Sequence, residues 1–525
     1  HYLDEKKFIL EDEVHAVDGT MEVFGEIGKY FGLENILTIE KNVRCLDRGM
    51  KVNCERGRYN RIIRTLFLTG NVVLSDSTRQ LYADTVIYNR DTGIANAYGS
   101  VVLINPAQDY SISGPHARYD RENSEAYMDG YPVLMFDRSQ KEPGRIKSAE
   151  MFFNMGLDQG TAIRDVRMIK GETTAECDTA IIYNDQGYVE LLGDPRASSG
   201  MSEMRGRRIG IYFSEREVNT IILPEFGRIS EKPPRGSRWW KDSWIEGDSI
   251  VIHLSEEDVD SVRVFGSAKA MYYPSESEKG KVSNNFSSGD TMFFRFRRKN
   301  LIYVNVTGNT EGIYKYMHLE DNETIDSLAS EMDTALIFRD FNSESEKIKY
   351  RGYDIEYFAD TEDISIDRSA SIDYQNKTLE AEHIDFNSRL NILKAEGSPV
   401  LKENEQEMYG YEMGYDMNRN GGLVTSGSTQ YNNGYYRGGH IFKDGKDILK
   451  VYNSIYTTCD LKNPHYSFRS HKMKVYMDDK VVSGPITLYL GEMPIFYLPF
   501  MANSIRRDRH SGILRPNFDI GINSR

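Results

Sequence analysis

A figure of about 30 residues returns along almost the whole chain, and a chain built that way does not fold as a set of unrelated globular domains. The segment Ala83-Asp84-Thr85-Val86-Ile87-Tyr88-Asn89-Arg90-Asp91-Thr92-Gly93 is the template. It has an anchor at Asp84, apolar residues two and four places later, and then a polar turn. The figure recurs with anchors at Pro115, Ala149, Asp178, Arg207, Asp248, Asp290, Tyr353, Glu382, Tyr411 and His471. The apolar pairs are Val86/Tyr88, Ala117/Tyr119, Met151/Phe153, Ala180/Ile182, Ile209/Ile211, Ile250/Ile252, Met292/Phe294, Ile355/Tyr357, Ile384/Phe386, Met413/Tyr415 and Met473/Val475. Most anchor spacings sit near 30 or twice 30, and two near 40 carry insertions. A glycine followed by a small polar residue marks the back half of most repeats, as in Gly70-Asn71, Gly99-Ser100, Gly193-Asp194, Gly266-Ser267, Gly308-Asn309, Gly397-Ser398 and Gly427-Ser428. Such pairs suit bends in which the backbone needs φ > 0.

Each repeat therefore reads strand, polar turn, strand, glycine bend, short strand, with one face apolar and one polar. A unit of this size cannot bury its apolar face alone. Stacking units edge to edge pairs each strand with the next and joins the apolar faces into one stripe. About 13 units at roughly 4.8 Å per step make a body on the order of 60 Å long, without separate globular domains inside it. A propeller needs longer blades, and a calcium-binding roll needs Gly- and Asp-rich nonapeptides that are missing. The 34 Tyr and 23 Phe support the strand reading, since both residues favour strands.

The balance of 65 basic against 80 acidic residues, a net charge of −15, argues against a nucleic-acid coat. No apolar run is long enough for a transmembrane helix, although a membrane β-barrel leaves only a weak alternating signal. The chain starts at His1 without a basic-then-apolar leader, and so reads as a mature form or a fragment; it stops at Arg525, within what reads as a new strand. Cys45 and Cys54 are candidates for a local bridge across neighbouring strands, and Cys459 for a bridge to a distant partner, with four buried thiols as the alternative. No Cys or His spacing matches a metal site, and no cofactor is expected. Residues 231–244 are an insertion holding all three Trp with four basic residues. It is read as a loop folding back on the stack, with a partner or anionic-glycan contact as the alternative. Residues 320–332 are the best helix candidate, with Asn322 as cap.

No nucleophile elbow, zinc-protease motif, phosphate loop or dinucleotide fingerprint is present. No Asp or basic column lines up from repeat to repeat, as a polysaccharide-cleaving β-helix would require. What lines up is Val, Ile, Met, Tyr and Phe, and the chain is expected not to be an enzyme. A closed stack would use that column as core. An open trough would offer it to acyl chains, at roughly 0.8 kcal/mol per buried methylene. Periodicity does not separate the two.

The Gly-Asn-Val-Val-Leu and Ala-Asp-Thr-Val-Ile-Tyr stretches at 70–88 resemble the OstA-type repeats of lipopolysaccharide transport proteins. Three further segments, in order, resemble the stretch entering the barrel of the LptD (organic solvent tolerance) family. They are Tyr456-Thr457-Thr458-Cys459, Pro494-Ile495-Phe496-Tyr497-Leu498-Pro499-Phe500 and Arg509-His510-Ser511-Gly512-Ile513-Leu514-Arg515-Pro516. The resemblance implies an all-β, elongated β-jellyroll or β-solenoid trough leading into an outer-membrane β-barrel cut short here. Residues 1–69 would be N-terminal repeats, 70–455 the OstA-like repeats, 456–505 the last rungs and junction, and 506–525 the first barrel strand. The apolar columns would line a groove for lipid A chains: Val86, Tyr88, Tyr119, Met151, Phe153, Ile182, Ile211, Ile250, Ile252, Phe294, Tyr357, Ile384, Phe386, Tyr415, Met473 and Val475. Ser511, Gly512 and Pro516 would stand at the barrel entrance, and Cys459 would bond a cysteine elsewhere in the chain. The implied partners are lipopolysaccharide, a bridge protein of the same jellyroll type at the N-terminal end, and a lipoprotein plug for the barrel. The implied location is the outer membrane, with this region periplasmic. The family departs from this chain in often carrying a proline where Ser504 stands and in having a shorter trough; the extra length would fit several bridge modules fused in one chain. A soluble periplasmic shuttle and a structural or adhesin-like solenoid with a closed core are the alternatives.

Overall fold

The computed structural model describes residues 6–47, 49–76, 79–214, 217–233, 241–255, 258–274, 281–318, 345–403, 406–419, 421–431, 434–445, 447–477 and 479–504. Forty strands and no helix lie among them. The helix expected at 320–332 and the barrel strand at 506–525, with Ser511, Gly512 and Pro516, fall outside the described residues.

The first eight strands show how the repeat folds. They are β1 (Lys7–Asp18), β2 (Met21–Phe31), β3 (Ile36–Asp47), β4 (Met50–Asn60), β5 (Thr65–Ser75), β6 (Gln80–Asn89), β7 (Ile94–Asn105) and β8 (Tyr110–Asp120). Each runs antiparallel to the next in a meander. At mid-length every one of these pairings slips register, for example between Thr69 and Val72 of β5 and between Tyr98 and Val101 of β7. The buried positions change phase with the slip: in β4 Val52 and Cys54 face inward, then Tyr59. One extra residue in a strand of period two turns the following side chains to the other face. Each long strand is thereby folded into two halves that belong to two half-sheets.

The corner is made by left-handed residues on alternate strands. Lys41-Asn42, Gly70-Asn71, Arg164-Asp165, Gly193-Asp194, Gly308-Asn309, Arg368-Ser369 and Gly397-Ser398 all have positive φ. The anchor residues stand opposite these corners. The Asp84 carboxylate accepts the Ser100 N–H at 3.1 Å, Asn71 donates to Glu55 at 2.8 Å, and the Arg368 guanidinium lies 3.9 Å over the Tyr353 ring. At Asp84 the side chain satisfies a backbone group that the bend takes out of the ladder.

Two compact units result: 1–234 with 242–262, and 235–241 with 263–525. The even period of the sequence does not announce this division. In the first unit the half-sheets bury Val72, Ala83, Val101 and Ile112 on one side and Leu66, Leu68, Val86 and Ala97 on the other. In the second, Ala370, Ile372 and Leu379 from one half-sheet join Ile355, Ile366 and Ile384 from the other in a single buried cluster. Each such Leu, Ile or Val contributes roughly 1.5–3 kcal/mol, so the stack is held by this interior seam.

Beside one corner of the second unit, His383 lies between two carboxylates, 2.6 Å from Asp367 and 2.9 Å from Asp385. Burial alone would lower its pKa, but the hydrogen bonds to Asp367 and Asp385 outweigh burial and raise it. The folded state thus holds the proton more tightly than the unfolded chain. The contribution is fully present below the ordinary histidine value and fades as pH rises through the raised one. The second unit is expected to lose up to about 1 kcal/mol between pH 6 and pH 8, a slope that His383→Gln removes. Denaturant midpoints across that range check this; a wild-type midpoint that does not fall with pH refutes it.

Candidate functional site

The candidate site is the seam between the half-sheets, and the two columns of the repeat differ within it. The first position of each pair is shut. Val86, Met151, Ala180, Ile209, Ile250, Met292, Ile355, Ile384, Met413 and Met473 are all at most 6% exposed. Ala117 is half-buried. The second position divides. Tyr88, Ile252, Phe294 and Val475 are buried. Phe153, Ile182, Ile211, Tyr357, Phe386 and Tyr415 are half-buried, and Tyr119 is exposed. Buried or half-buried, the second-column residues all sit two places further from the corner than the first column. Phe386 and Tyr415 still pack against the second unit's core. The seam, which the sequence leaves as either an open groove or a closed core, is closed along its inner column, because apolar faces brought together at a corner exclude water by meeting each other.

Polar contacts bridge the edges in both units. In the second, Lys443 at the end of one half-sheet is 3.8 Å from Glu403 at the end of the other, and the Lys377 ammonium lies 5.7 Å over the Tyr415 ring. In the first the bridge is a buried network. Asp18 and Asp47 end the outer halves of β1 and β3; Tyr59 lies near the end of the facing half of β4, and Arg90 directly follows β6. Arg90 Nη1 stands 3.4 Å from Asp18 Oδ2 and donates to the Tyr59 hydroxyl at 3.4 Å. Its Nε is 3.4 Å from Asp47 Oδ2. Tyr59 donates to Asp18 at 2.8 Å and Thr20 to Asp47 at 2.8 Å. The side chains of Arg90 and Asp47 are 4% and 3% exposed, so water screens the pair little.

This latch is not legible in one repeat. Its members lie as much as 72 residues apart. The available signal was register: Asp18 and Asp47 are one repeat apart, 47 − 18 = 29, each closing a strand.

The cysteines correct the expected bridge. Cys45, Cys54, Cys177 and Cys459 are all free. Cys45 and Cys54 lie on adjacent strands, but Cys45 faces Val52 and Cys54 faces Val43, an offset of two residues. Burial pushes the Cys45 thiol up to about 12, helped by Asp47 and the neighbouring Cys54, and pushes Cys54 up to about 11. Both are inert apolar fillers in this state. Cys459 Sγ lies 3.5 Å from His465 Nδ1. Of the Trp-rich insertion, Trp244 is described: it sits in the strand Ser243–Gly247, with the Arg228 guanidinium 4.5 Å over its ring. The junction motif forms the strand Met493–Leu498, on and beside which Ile495, Phe496, Tyr497 and Phe500 are exposed.

No protein-family model matches the chain. It is 23% identical over 146 residues to the LPS-assembly protein LptD of Nitrosospira multiformis, an alignment covering 27% of this chain and 16% of that protein. It is 21% identical over 144 residues to the LptD of Nitrosomonas eutropha, covering 27% and 20%. The alignments thus span a fifth or less of these relatives' own length. Among solved structures it is similar to LptH of Pseudomonas aeruginosa, the LptA-homologous periplasmic component of a lipopolysaccharide transport device. That likeness has a TM-score of 0.20 and 16% identity, over 26% of this chain and 82% of that one.

Proposed function

We propose, from the chain's kinship with LptD-type LPS-assembly proteins, that it serves lipopolysaccharide transport to the outer membrane as a non-enzymatic periplasmic β-jellyroll. Lipid A acyl chains would lie between the half-sheets and pass toward a barrel. The observation that carries the reading is the second column: Phe153, Ile182, Tyr357, Phe386 and Tyr415 repeat at the half-open side of an otherwise buried seam. Chains entering there would exchange one apolar contact for another at nearly constant cost, which suits sliding more than tight capture. Loading requires the half-sheets to part, because the first column is closed. A bridge protein of similar fold at the N-terminal end and a lipoprotein plug would complete the route.

One observation favours a structural stack instead: the inner column is already satisfied by itself. Photo-crosslinking separates the two. A photoreactive residue at Phe153, Phe386 or Tyr415 is expected to form adducts with added lipopolysaccharide at several times the yield of one at Leu157, an exposed apolar turn residue. Folded protein giving no adduct above the Leu157 level at any of the three would leave the structural stack standing.

A further inference from the structure

Where the latch reaches the surface of the first unit, a cleft of about 480 Å³ is lined by Arg64, Arg90 and Arg121 together with Tyr88, Asp91 and Glu122. The three arginines come from three successive turns of the stack. We infer that this cleft is a binding site for a phosphate monoester and that Arg90 is shared between the site and the latch. Guanidinium groups match phosphate oxygens in paired, planar hydrogen bonds.

The charges in the cleft are incompletely used. Arg90 is almost wholly buried, yet its Nε makes no hydrogen bond, because Asp47 stands within ion-pair distance without the right alignment. Arg64 is held by Asp91 at 2.8 Å, and both are well exposed, so that pair is weak and exchangeable. Arg121 makes no ion pair among the described residues; its backbone N–H is tied to Gly93 O at 3.2 Å, which fixes the turn that presents it. Asp91 and Glu122 set the condition for binding: an anion gains only by taking Arg64 from Asp91 and by reaching Arg121. With a net charge of −15 on the chain, diffuse attraction does not bring anions here, so the site selects by its local fork of donors.

The site deepens the lipid-transport reading and rests on it for the ligand's other half. Tyr88, a second-column residue, lines the same cleft, so an amphiphile held by its phosphate at the arginines would have its chains beside the seam. A phosphate that drew on Arg90 would also loosen the contact with Asp18 and Asp47, coupling head-group binding to opening of the mouth.

The test uses the full chain and micellar lipid A in bisphosphorylated and dephosphorylated forms, with affinity read by titration calorimetry. Wild type is expected to prefer the phosphorylated form by about tenfold. The exposed double variant Arg64→Gln/Arg121→Gln should bind both forms with the affinity wild type shows for the dephosphorylated one. An unchanged preference in the double variant, or equal binding of the two forms by wild type, overturns the site. If wild type binds neither lipid, the transport reading falls, and inorganic phosphate alone decides the cleft by ³¹P line broadening. Broadening with wild type that the double variant abolishes upholds the site; no broadening with wild type overturns it.

Discussion

Arg90→Ala is expected to destabilise the first unit by about 3–5 kcal/mol, the range for removing one partner of a buried charge pair. Asp47 would be left 3% exposed without its cation. Asp18 and the Tyr59 hydroxyl would each lose a donor. The loss should be local. Hydrogen exchange of peptides from β1 to β4 should accelerate strongly, while peptides from the Ile355–Ile384 region keep wild-type protection. Asp18→Asn and Asp47→Asn placed on top of Arg90→Met should recover much of the loss, since an apolar and neutral set removes the stranded charges together. A cost below about 1 kcal/mol for Arg90→Ala would mean that the latch is solvated and does not clamp the mouth.

How much of this was legible differs by element. The period came through because each rung must present the same apolar pair to the same seam. The corners came through because left-handed backbone falls on glycine, so Gly70, Gly99, Gly193, Gly308 and Gly397 marked them. Corners built from Lys41-Asn42, Arg164-Asp165 and Arg368-Ser369 carried no such mark, although Asn and Asp tolerate that region. Closure of the first column was not legible. A buried core and a lipid groove ask for the same residues at the same spacing, and only the approach of the half-sheets distinguishes them. The Cys45–Cys54 expectation failed for a geometric reason: a nine-residue separation around the Asp47–Met50 turn sets them two positions out of register. The latch was invisible because its members meet across the seam rather than along a strand. Its Tyr-Asn-Arg piece at 88–90 looks like any polar turn.

The corners carry the second large effect. Gly99 has φ of +96°, and a Cβ added there would lie 2.0 Å from Asp84 Oδ2 and 2.6 Å from Asp84 Cβ. Gly99→Ala therefore does two things. It holds an L-residue in left-handed backbone at a cost of about 1–2 kcal/mol. It also drives the anchor carboxylate off the Ser100 N–H, forfeiting a further 1 kcal/mol or so. The sum is a loss of about 2–3 kcal/mol, read as a denaturant midpoint. Gly19→Ala separates the two causes, because Gly19 has φ of +64° with nothing within 4 Å of the added carbon, and only the backbone term should appear. Asp84→Ala in the Gly99→Ala background removes the carboxylate from the collision and leaves the Cβ contact at 2.6 Å, so the double variant should still cost less than the two single losses added together. Equal losses at Gly99 and Gly19 would show that the anchor does not press on the corner. Gly193 over Asp178 and Gly308 over Asp290 have the same approach, at 2.4 and 2.2 Å. A result at one rung should therefore carry to both units, and the anchor column is then what holds the half-sheets at their angle.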